Sequence, residues 1–178
     1  DAGIRCLADG LSANRQALDA HEALVQRTAD HLSLCGRIAW TGLSLHAQDG
    51  DEAWALCRPD VFSIRSTSVE TMLEPAVHEI KVSRADLLGD LKQTAKRTRY
   101  LDAGGQCWYV LGCDTRGEPI ADPSEIPAEC GVMMAGATHL DIARVAPRLS
   151  ARPLPFHIWM ALARARPREP GEPSRTRA

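Results

Sequence analysis

Two acidic residues and a lysine have the types and spacing that chemistry on a phosphodiester requires. Asp60 follows Pro59, and nineteen positions later Glu79 begins the triplet Glu79-Ile80-Lys81. Two carboxylates suffice for Mg²⁺, which keeps several waters when it binds to proteins. Such a cation polarises a phosphate and lowers the pKa of a bound water, and a nearby lysine stabilises developing negative charge. The sequence therefore predicts a Mg²⁺ or Mn²⁺ site at Asp60 and Glu79, with the backbone carbonyl of Ile80 as a third ligand and Lys81 as the catalytic lysine.

The composition favours one globular domain with a hydrophobic core. The chain has 178 residues, of which 44 % are hydrophobic, and it lacks the long apolar run of a membrane span. Six cysteines without a Cys-x-x-Cys pair favour reduced thiols in a cytoplasmic protein, with disulfides or a zinc site as the alternative. The net charge is −2 and residues 164–178 carry +3, which leaves −5 on the rest of the chain. Any contact with nucleic acid must therefore be local.

Hydrophobic periodicity and turn residues predict the elements that position these side chains. In chain order they are a helix over residues 16–34, strands over 38–46, 53–64 and 76–83, a helix over 84–103, strands over 106–112 and 130–135, and a helix over 153–165. This order predicts an α/β sandwich with one central mixed sheet flanked by helices.

Three further expectations follow from this order. The long helix between strands 76–83 and 106–112 is a crossover, so these strands should be parallel. Strand 130–135 suits an edge position. We expect one domain over residues 1–163, followed by a disordered tail rich in arginine and proline over 164–178.

Strand alternation places Glu79 and Lys81 on one face of strand 76–83, and His78 and Ile80 on the other, mostly apolar face. A crossover helix follows this strand directly, so the strand should lie inside the sheet. His78 is then expected to be a packed, hydrogen-bonded core residue rather than a ligand.

Glu22 lies within the apolar stripe of helix 16–34, between Leu18 and Val25. An inward carboxylate needs a cation or a partner, because an unpaired buried charge is costly. Glu22 is therefore a candidate catalytic residue, as a further ligand or as a holder of the attacking water. The alternative, that it lies at the edge of the stripe and reaches solvent, is equally open.

Lys92, Lys96 and Arg99 recur at spacings of four and three residues on the long predicted helix. A basic stripe beside the site favours contacts with DNA phosphates, although a solvated helix face has the same pattern. Ser83 either contributes near the site or caps this helix. Asp86, in the first turn, is expected to stabilise the helix dipole.

Other polar and aromatic residues near the motif have simpler structural interpretations. Asp90, four residues after Asp86, is expected to act on the helix dipole rather than in a second metal site. Trp108 and Tyr109 could stack on bases, but aromatic residues in a strand are more often part of the core.

The sequence resembles the PD-(D/E)XK nuclease superfamily. The resemblance rests on Pro59-Asp60 and Glu79-Ile80-Lys81, following a helix that carries Glu22. The continuation is similar to that of the bacterial MmcB-like DNA repair proteins within the superfamily: Val82-Ser83-Arg84-Ala85-Asp86-Leu87, Gly89-Asp90, Lys92, Tyr100-Leu101-Asp102 and Trp108-Tyr109. The resemblance implies a restriction-endonuclease-like fold, a Mg²⁺-dependent site with Asp60 and Glu79 as ligands and Lys81 as the catalytic lysine, and Glu22 as the acid of the first helix.

The function expected from these residues is hydrolysis of phosphodiester bonds in DNA, in repair or processing. The alternative is a non-catalytic module of the same fold that binds DNA or a repair protein. A third and weaker interpretation is an interaction domain in which the triplet is accidental. DNA is the expected partner, a homodimer or a repair-protein partner is compatible with the sequence, and no membrane association is expected.

Overall fold

A six-stranded mixed sheet lies at the centre of the computed structural model, which describes residues 2–49, 53–148 and 153–172. The strands are β1 (Arg37–Thr41), β2 (Leu45–Asp49), β3 (Ala53–Cys57), β4 (Val61–Arg65), β5 (Ala76–Lys81), β6 (Cys107–Leu111), β7 (Cys130–Ala135) and β8 (Leu140–Arg144). The helices are α1 (Ala2–Leu34), α2 (Arg84–Leu91), α3 (Thr94–Gly104) and α4 (Phe156–Arg164). None of these helices combines the length and the apolar character that crossing a membrane requires.

The strand order in the central sheet is β1-β4-β5-β6-β7-β8. Strands β5, β6 and β7 are parallel to one another, whereas β1, β4 and β8 pair antiparallel with their neighbours. The predicted α/β class, with a mixed sheet flanked by helices, is therefore confirmed, as is the parallel pairing across the crossover. The expectation of an edge position for residues 130–135 is wrong, because β8, which was not predicted, pairs with the outer side of β7.

Strand β5 is buried along its whole length and divides two hydrophobic cores. Val77 packs with Tyr109 on the face covered by α2, α3 and α4, and Ile80 packs with Val110 on the face covered by α1. The predicted alternation is thus confirmed, and Glu79 lies on the same face as Val77. Any charge on that face has to be accommodated between the sheet and α2–α3.

Strands 38–46 and 53–64, each predicted as one element, are each divided in two. Gly42, with φ +66°, turns the chain between β1 and β2, and Pro59 lies between β3 and β4. A left-handed residue and a proline both interrupt a ladder. Consequently β2 and β3 form a separate two-stranded sheet. Residues 50–52, including part of the predicted turn, lie outside the described residues.

The predicted helix over residues 84–103 is two helices. Helix α2 ends at Leu91, with Lys92 as its C-cap, and Gln93 has φ −89° and ψ 66°, outside helical values. Helix α3 then begins at Thr94. The first helix, by contrast, is longer than the predicted 16–34, since α1 begins at Ala2.

The C-terminal helix α4 docks on the core through one face. Ile158 and Leu162 are buried, while Phe156 and Trp159 are 78 % and 40 % exposed. Within the segment predicted to be a disordered tail, the Arg168 N–H donates to the carbonyl of Ala39, and its Nε lies 3.0 Å from Asp30 Oδ1. Residues 173–178 lie outside the described part.

A prediction concerns Gly131 on β7, which lies opposite Trp108 in the parallel register. A Cβ added at Gly131 would come within 2.4 Å of Trp108 Cε3 and 2.7 Å of the Ala146 nitrogen. Backbone and a buried ring cannot both move aside, so Gly131→Ala should lower the free energy of unfolding by about 2 kcal/mol or more in urea titrations.

The matched control is Gly89→Ala in α2, where a Cβ would meet nothing within 4 Å. There the gain in helix propensity should raise the free energy of unfolding by about 0.5–1 kcal/mol. Equal effects of the two substitutions would contradict the packing described at Gly131.

Candidate active site at the end of β4 and β5

Asp60 is held where the pairing of β4 with β5 ends. Val61 opposite His78 is the last pair of this ladder, and beyond it the N–H of Ile80 donates to Asp60 Oδ2 at 2.8 Å. The carboxylate thus replaces the main-chain acceptor that the strand no longer supplies. The N–H and the carbonyl of one strand residue point to the same side, so the Ile80 carbonyl also faces the side of Asp60.

Glu79 immediately precedes Ile80 in β5. Its side chain lies on the α3-facing side of the sheet and is only 3 % exposed. Its Oε2 lies 3.3 Å from Lys81 Nζ and 2.9 Å from Lys96 Nζ. Lys81 comes from the same strand, and Lys96 comes from the first turn of α3. The predicted pairing of Glu79 with Lys81 is therefore present, together with a second lysine at the same oxygen.

A second buried carboxylate, that of Asp90 on α2, completes the cluster. Its Oδ1 lies 2.6 Å from Lys96 Nζ and 3.5 Å from Lys81 Nζ, and its Oδ2 accepts a hydrogen bond from the Tyr109 hydroxyl at 2.7 Å. The predicted role for Asp90, stabilising the helix dipole, is wrong, because Asp90 lies in the last turn of α2, where the dipole disfavours a negative charge, and its side chain is 6 % exposed and points to the sheet. We call Glu79, Lys81, Asp90 and Lys96 the buried quartet.

The pKa values of the two acids in the quartet shift in opposite directions. Burial and the charge of Asp60 raise the pKa of Glu79, although Lys96 and Lys81 act against this shift. Burial acts in the same direction on Asp90, but hydrogen bonds from Lys96 and Tyr109 and the charge of Lys81 outweigh it, so the pKa of Asp90 is lowered. Of the two carboxylates, Glu79 is the one whose charge is less well compensated.

Both lysines stay protonated. Burial lowers the pKa of each, but Glu79 and Asp90 outweigh burial, and the net result is a raised pKa for Lys81 and for Lys96. Asp86 adds a further carboxylate, with Oδ2 3.4 Å from Lys81 Nζ. Each lysine is therefore a fixed positive charge at neutral pH rather than a base.

The donor atoms at this site suit a hard divalent cation. They are the oxygens of Asp60 and Glu79 and the carbonyl of Ile80, the ligand type that Mg²⁺ and Mn²⁺ prefer. Within the described residues no group of three or more His, Cys, Asp or Glu side chains lies close enough to hold a metal ion. The fit therefore rests on the two carboxylates and on the raised pKa of Glu79, whose charge a cation would compensate.

Helix α1 reaches the site through His21 rather than through Glu22. His21 Nε2 lies 3.4 Å from Asp60 Oδ2, and this hydrogen bond raises the pKa of His21. Glu22 is exposed and accepts a hydrogen bond from Gln26 Nε2 at 2.6 Å. Of the two interpretations open for Glu22, the position at the edge of the apolar stripe is the one observed. Leu18, assigned to that stripe, is 66 % exposed.

The predicted basic stripe is divided by the break between α2 and α3. Lys92 caps α2 and is exposed, Lys96 is turned into the buried quartet, and Arg99 is half-buried with its Nε donating to the carbonyl of Ala95. Ser83 accepts a hydrogen bond from the Asp86 N–H at 3.2 Å, which is the capping role. The three basic residues therefore do not form one continuous surface.

His78, Trp108 and Tyr109 are core residues, as predicted. His78 is 1 % exposed and stacks on Trp108 at 6.3 Å, and burial followed by the charge of Arg37 lowers its pKa to about 3. The ring hydrogen-bonds with the Val61 backbone, as expected, although its Nδ1 has no hydrogen-bond partner among the described residues. The imidazole is therefore neutral at physiological pH.

Sequence reasoning missed Asp90, Tyr109 and His21 as members of the site. One signal was available: parallel pairing of β5 with β6 brings Tyr109 opposite Glu79. The position of Asp90 depends on the rotation of α2 about its axis, and that of His21 on the rotation of α1. No motif in the sequence indicates either of these.

The chain matches no model of a known protein family and no curated protein. It is similar in structure to a solved protein of unknown function from Silicibacter pomeroyi, with 25 % sequence identity, a TM-score of 0.51 and coverage of 79 % of each chain. This likeness supports the mixed α/β fold.

The lowered pKa of Asp90 gives a prediction about stability. Asp90→Asn should lower the free energy of unfolding at neutral pH by about 3 kcal/mol, because a buried pair loses one partner. Since the folded-state pKa lies below the ordinary 3.8, this stabilisation is fully present above that pH and is lost as the pH falls through the folded-state value. Urea titrations from about pH 7 to about pH 3 would measure it.

Asp141→Asn on β8 is the matched control, because Asp141 is 67 % exposed and its one ion pair among the described residues is with His139 at 2.9 Å. Its effect should stay within about 0.5 kcal/mol. A loss at Asp90 that does not diminish in acid would contradict the charge interactions assigned to that carboxylate.

Proposed function

We propose that this chain is a metal-dependent nuclease that hydrolyses phosphodiester bonds in DNA, and that it belongs to the PD-(D/E)XK superfamily. The observation that carries the proposal is that Asp60 accepts the Ile80 N–H at the end of the β4–β5 ladder, directly beside Glu79 in β5, whose Oε2 lies 3.3 Å from Lys81 Nζ. Asp60, Glu79 and the Ile80 carbonyl would hold Mg²⁺ or Mn²⁺. The bound cation would polarise the scissile phosphate and lower the pKa of a water.

Lys81 acts in this proposal as a fixed ammonium. Its raised pKa keeps it charged, so it donates hydrogen bonds to the attacking water or to a phosphoryl oxygen instead of removing a proton. Charge that develops on the phosphoryl oxygens is stabilised most by a donor that is already in position. Glu79 and Asp90 provide that positioning, and the lysine side chain is only 7 % exposed.

Contacts with the DNA backbone are assigned to exposed or half-buried groups around the site. Lys92 and Arg99 are the members of the predicted stripe that remain for this role, since Lys96 is engaged by Glu79 and Asp90. Ser83 lies at the N-terminus of α2, two residues after Lys81 in the chain. Repair or processing of DNA is the proposed context, by resemblance to the MmcB-like proteins.

A second candidate function is a non-catalytic module of the same fold that binds DNA or a repair protein. One observation favours it. Both lysines already lie at Oε2 of Glu79, at 3.3 and 2.9 Å, so the buried carboxylate has two ammonium partners without a metal cation. Cleavage and cation binding distinguish the two functions.

The test is incubation of the full chain with supercoiled, linear and single-stranded DNA in Mg²⁺ or Mn²⁺. We expect cleavage by the parent, and a decrease of about 100-fold or more in rate for Lys81→Met and for Asp60→Asn, because each removes a charge used in the transition state. Asp141→Asn, the same chemical change on the distant edge strand β8, should retain the parental rate.

DNA retention without cleavage would favour the second candidate. Cleavage that is unaffected by both Lys81→Met and Asp60→Asn would refute the assignment of the active site to these residues. The far-ultraviolet circular dichroism of each variant should match that of the parent, so that a loss of rate reports chemistry rather than unfolding.

A further inference from the structure

Lys96 occupies a position that the sequence pattern did not predict. It lies in the first turn of α3, and its Nζ is 2.9 Å from Glu79 Oε2 and 2.6 Å from Asp90 Oδ1. The same ammonium lies 5.3 Å from the ring centre of Tyr100, a distance suited to a cation–π interaction. Lys96 is therefore fixed between two acids and a ring rather than directed to a phosphate in solvent.

The oxygen that Lys96 contacts belongs to the proposed cation ligand. An ammonium and a divalent cation next to one carboxylate repel each other, and they compete for the same lone pairs. Lys81 contacts Oε2 as well, at the longer distance of 3.3 Å. A cation at Glu79 therefore has to weaken at least one of these ion pairs.

Of the two lysines, Lys96 is the one that can give up its contact with Glu79. Its side chain is 30 % exposed, against 7 % for Lys81, so its ammonium has access to water when one contact is lost. Asp90 gives it an alternative partner, because the Asp90 carboxylate is fixed independently by the Tyr109 hydroxyl at 2.7 Å. Leaving Glu79 would thus cost Lys96 one ion pair while the shorter one, to Asp90, remains.

We propose that Lys96 is an internal counter-ion that competes with a divalent cation for Glu79, and that Asp90 retains Lys96 when the cation binds. This inference rests on the cation site proposed above and adds what controls its affinity. The acid cluster is compensated by lysine before the cation arrives, and the affinity for the cation is lower than two carboxylates alone would give. Lys96 is a positioning residue in this scheme, and not one that touches substrate.

Isothermal titration of the full chain with Mn²⁺, without DNA, tests the proposal. Lys96→Gln removes the charge and keeps a hydrogen-bond donor for Asp90, so the dissociation constant for Mn²⁺ should fall by roughly tenfold. Lys96→Met should change it in the same direction. Asp90→Asn should raise the dissociation constant, because Lys96 then has Glu79 as its only acidic partner.

Lys92→Gln is the matched control, since Lys92 is exposed and makes no ion pair within the described residues. Its Mn²⁺ affinity should equal that of the parent. The double variant Lys96→Gln with Asp90→Asn tests the coupling: the effect of Asp90→Asn should be smaller than in the parent, because part of it acts through Lys96.

The outcomes separate this inference from the proposed function. Equal Mn²⁺ affinity of the parent and of folded Lys96→Gln would overturn the competition and leave the cation site standing. Detectable Mn²⁺ binding by Lys96→Gln but not by the parent would support the competition in its strongest form. If neither the parent nor either Lys96 variant binds Mn²⁺, while circular dichroism shows that all three are folded, both the competition and the metal site are refuted.

Discussion

The charge of Glu79, buried on a central strand, is the constraint on which the rest of the site depends. A carboxylate that is 3 % exposed is tolerated only when charged partners compensate it. Lys81 comes from the strand itself, and Lys96 can approach because the chain breaks at Gln93 before α3 begins. Two ammonium groups then need a second carboxylate, which Asp90 supplies. One buried charge thus accounts for an ion network that joins β5, α2 and α3.

Asp60 connects this network to the opposite face of the sheet. It satisfies the N–H of Ile80 just before β4 begins, and it receives His21 from α1. Lys81 and Glu79 lie on the α2–α3 side, so the end of the β4–β5 ladder is the position where groups from both helical layers can meet. The antiparallel β4–β5 pairing, with Val61 opposite His78, fixes this meeting point.

The parts of the fold that the sequence predicts well are those set by local pattern. Alternation along β5 and the length of the crossover to β6 fix the face of Glu79 and the parallel pairing, because both follow from backbone geometry. The break at Gln93 was missed because no proline or glycine marks it. The edge strand β8 was missed because its pairing with β7 is a tertiary contact, and Leu140 alone among its residues is buried.

In the site, too, local sequence pattern predicts some residues, and tertiary packing determines the others. Asp60, Glu79 and Lys81 are found from their spacing, because neighbouring strands bring them together whatever the helices do. The role of Lys96 depends on where α3 begins, and the role of Asp90 on how α2 is rotated. A stripe drawn on one ideal helix therefore assigned Lys96 to contacts with DNA phosphates or to a solvated face. Glu22 and His21 are adjacent in α1, and the packing of α1 on the sheet places His21, rather than Glu22, beside Asp60.

The charges of the buried quartet balance one another, whereas the carboxylate of Asp60 is an additional negative charge beside it. The buried quartet is neutral by itself, with two carboxylates and two ammonium groups, and Asp86 is 56 % exposed and therefore screened by water. Asp60 is the additional charge. An uncharged Asn could accept the Ile80 N–H equally well, yet the residue present is an acid that raises the pKa of Glu79. The acid also pairs with His21 Nε2 at 3.4 Å, and its negative charge beside Glu79 is the one that the proposed cation would compensate.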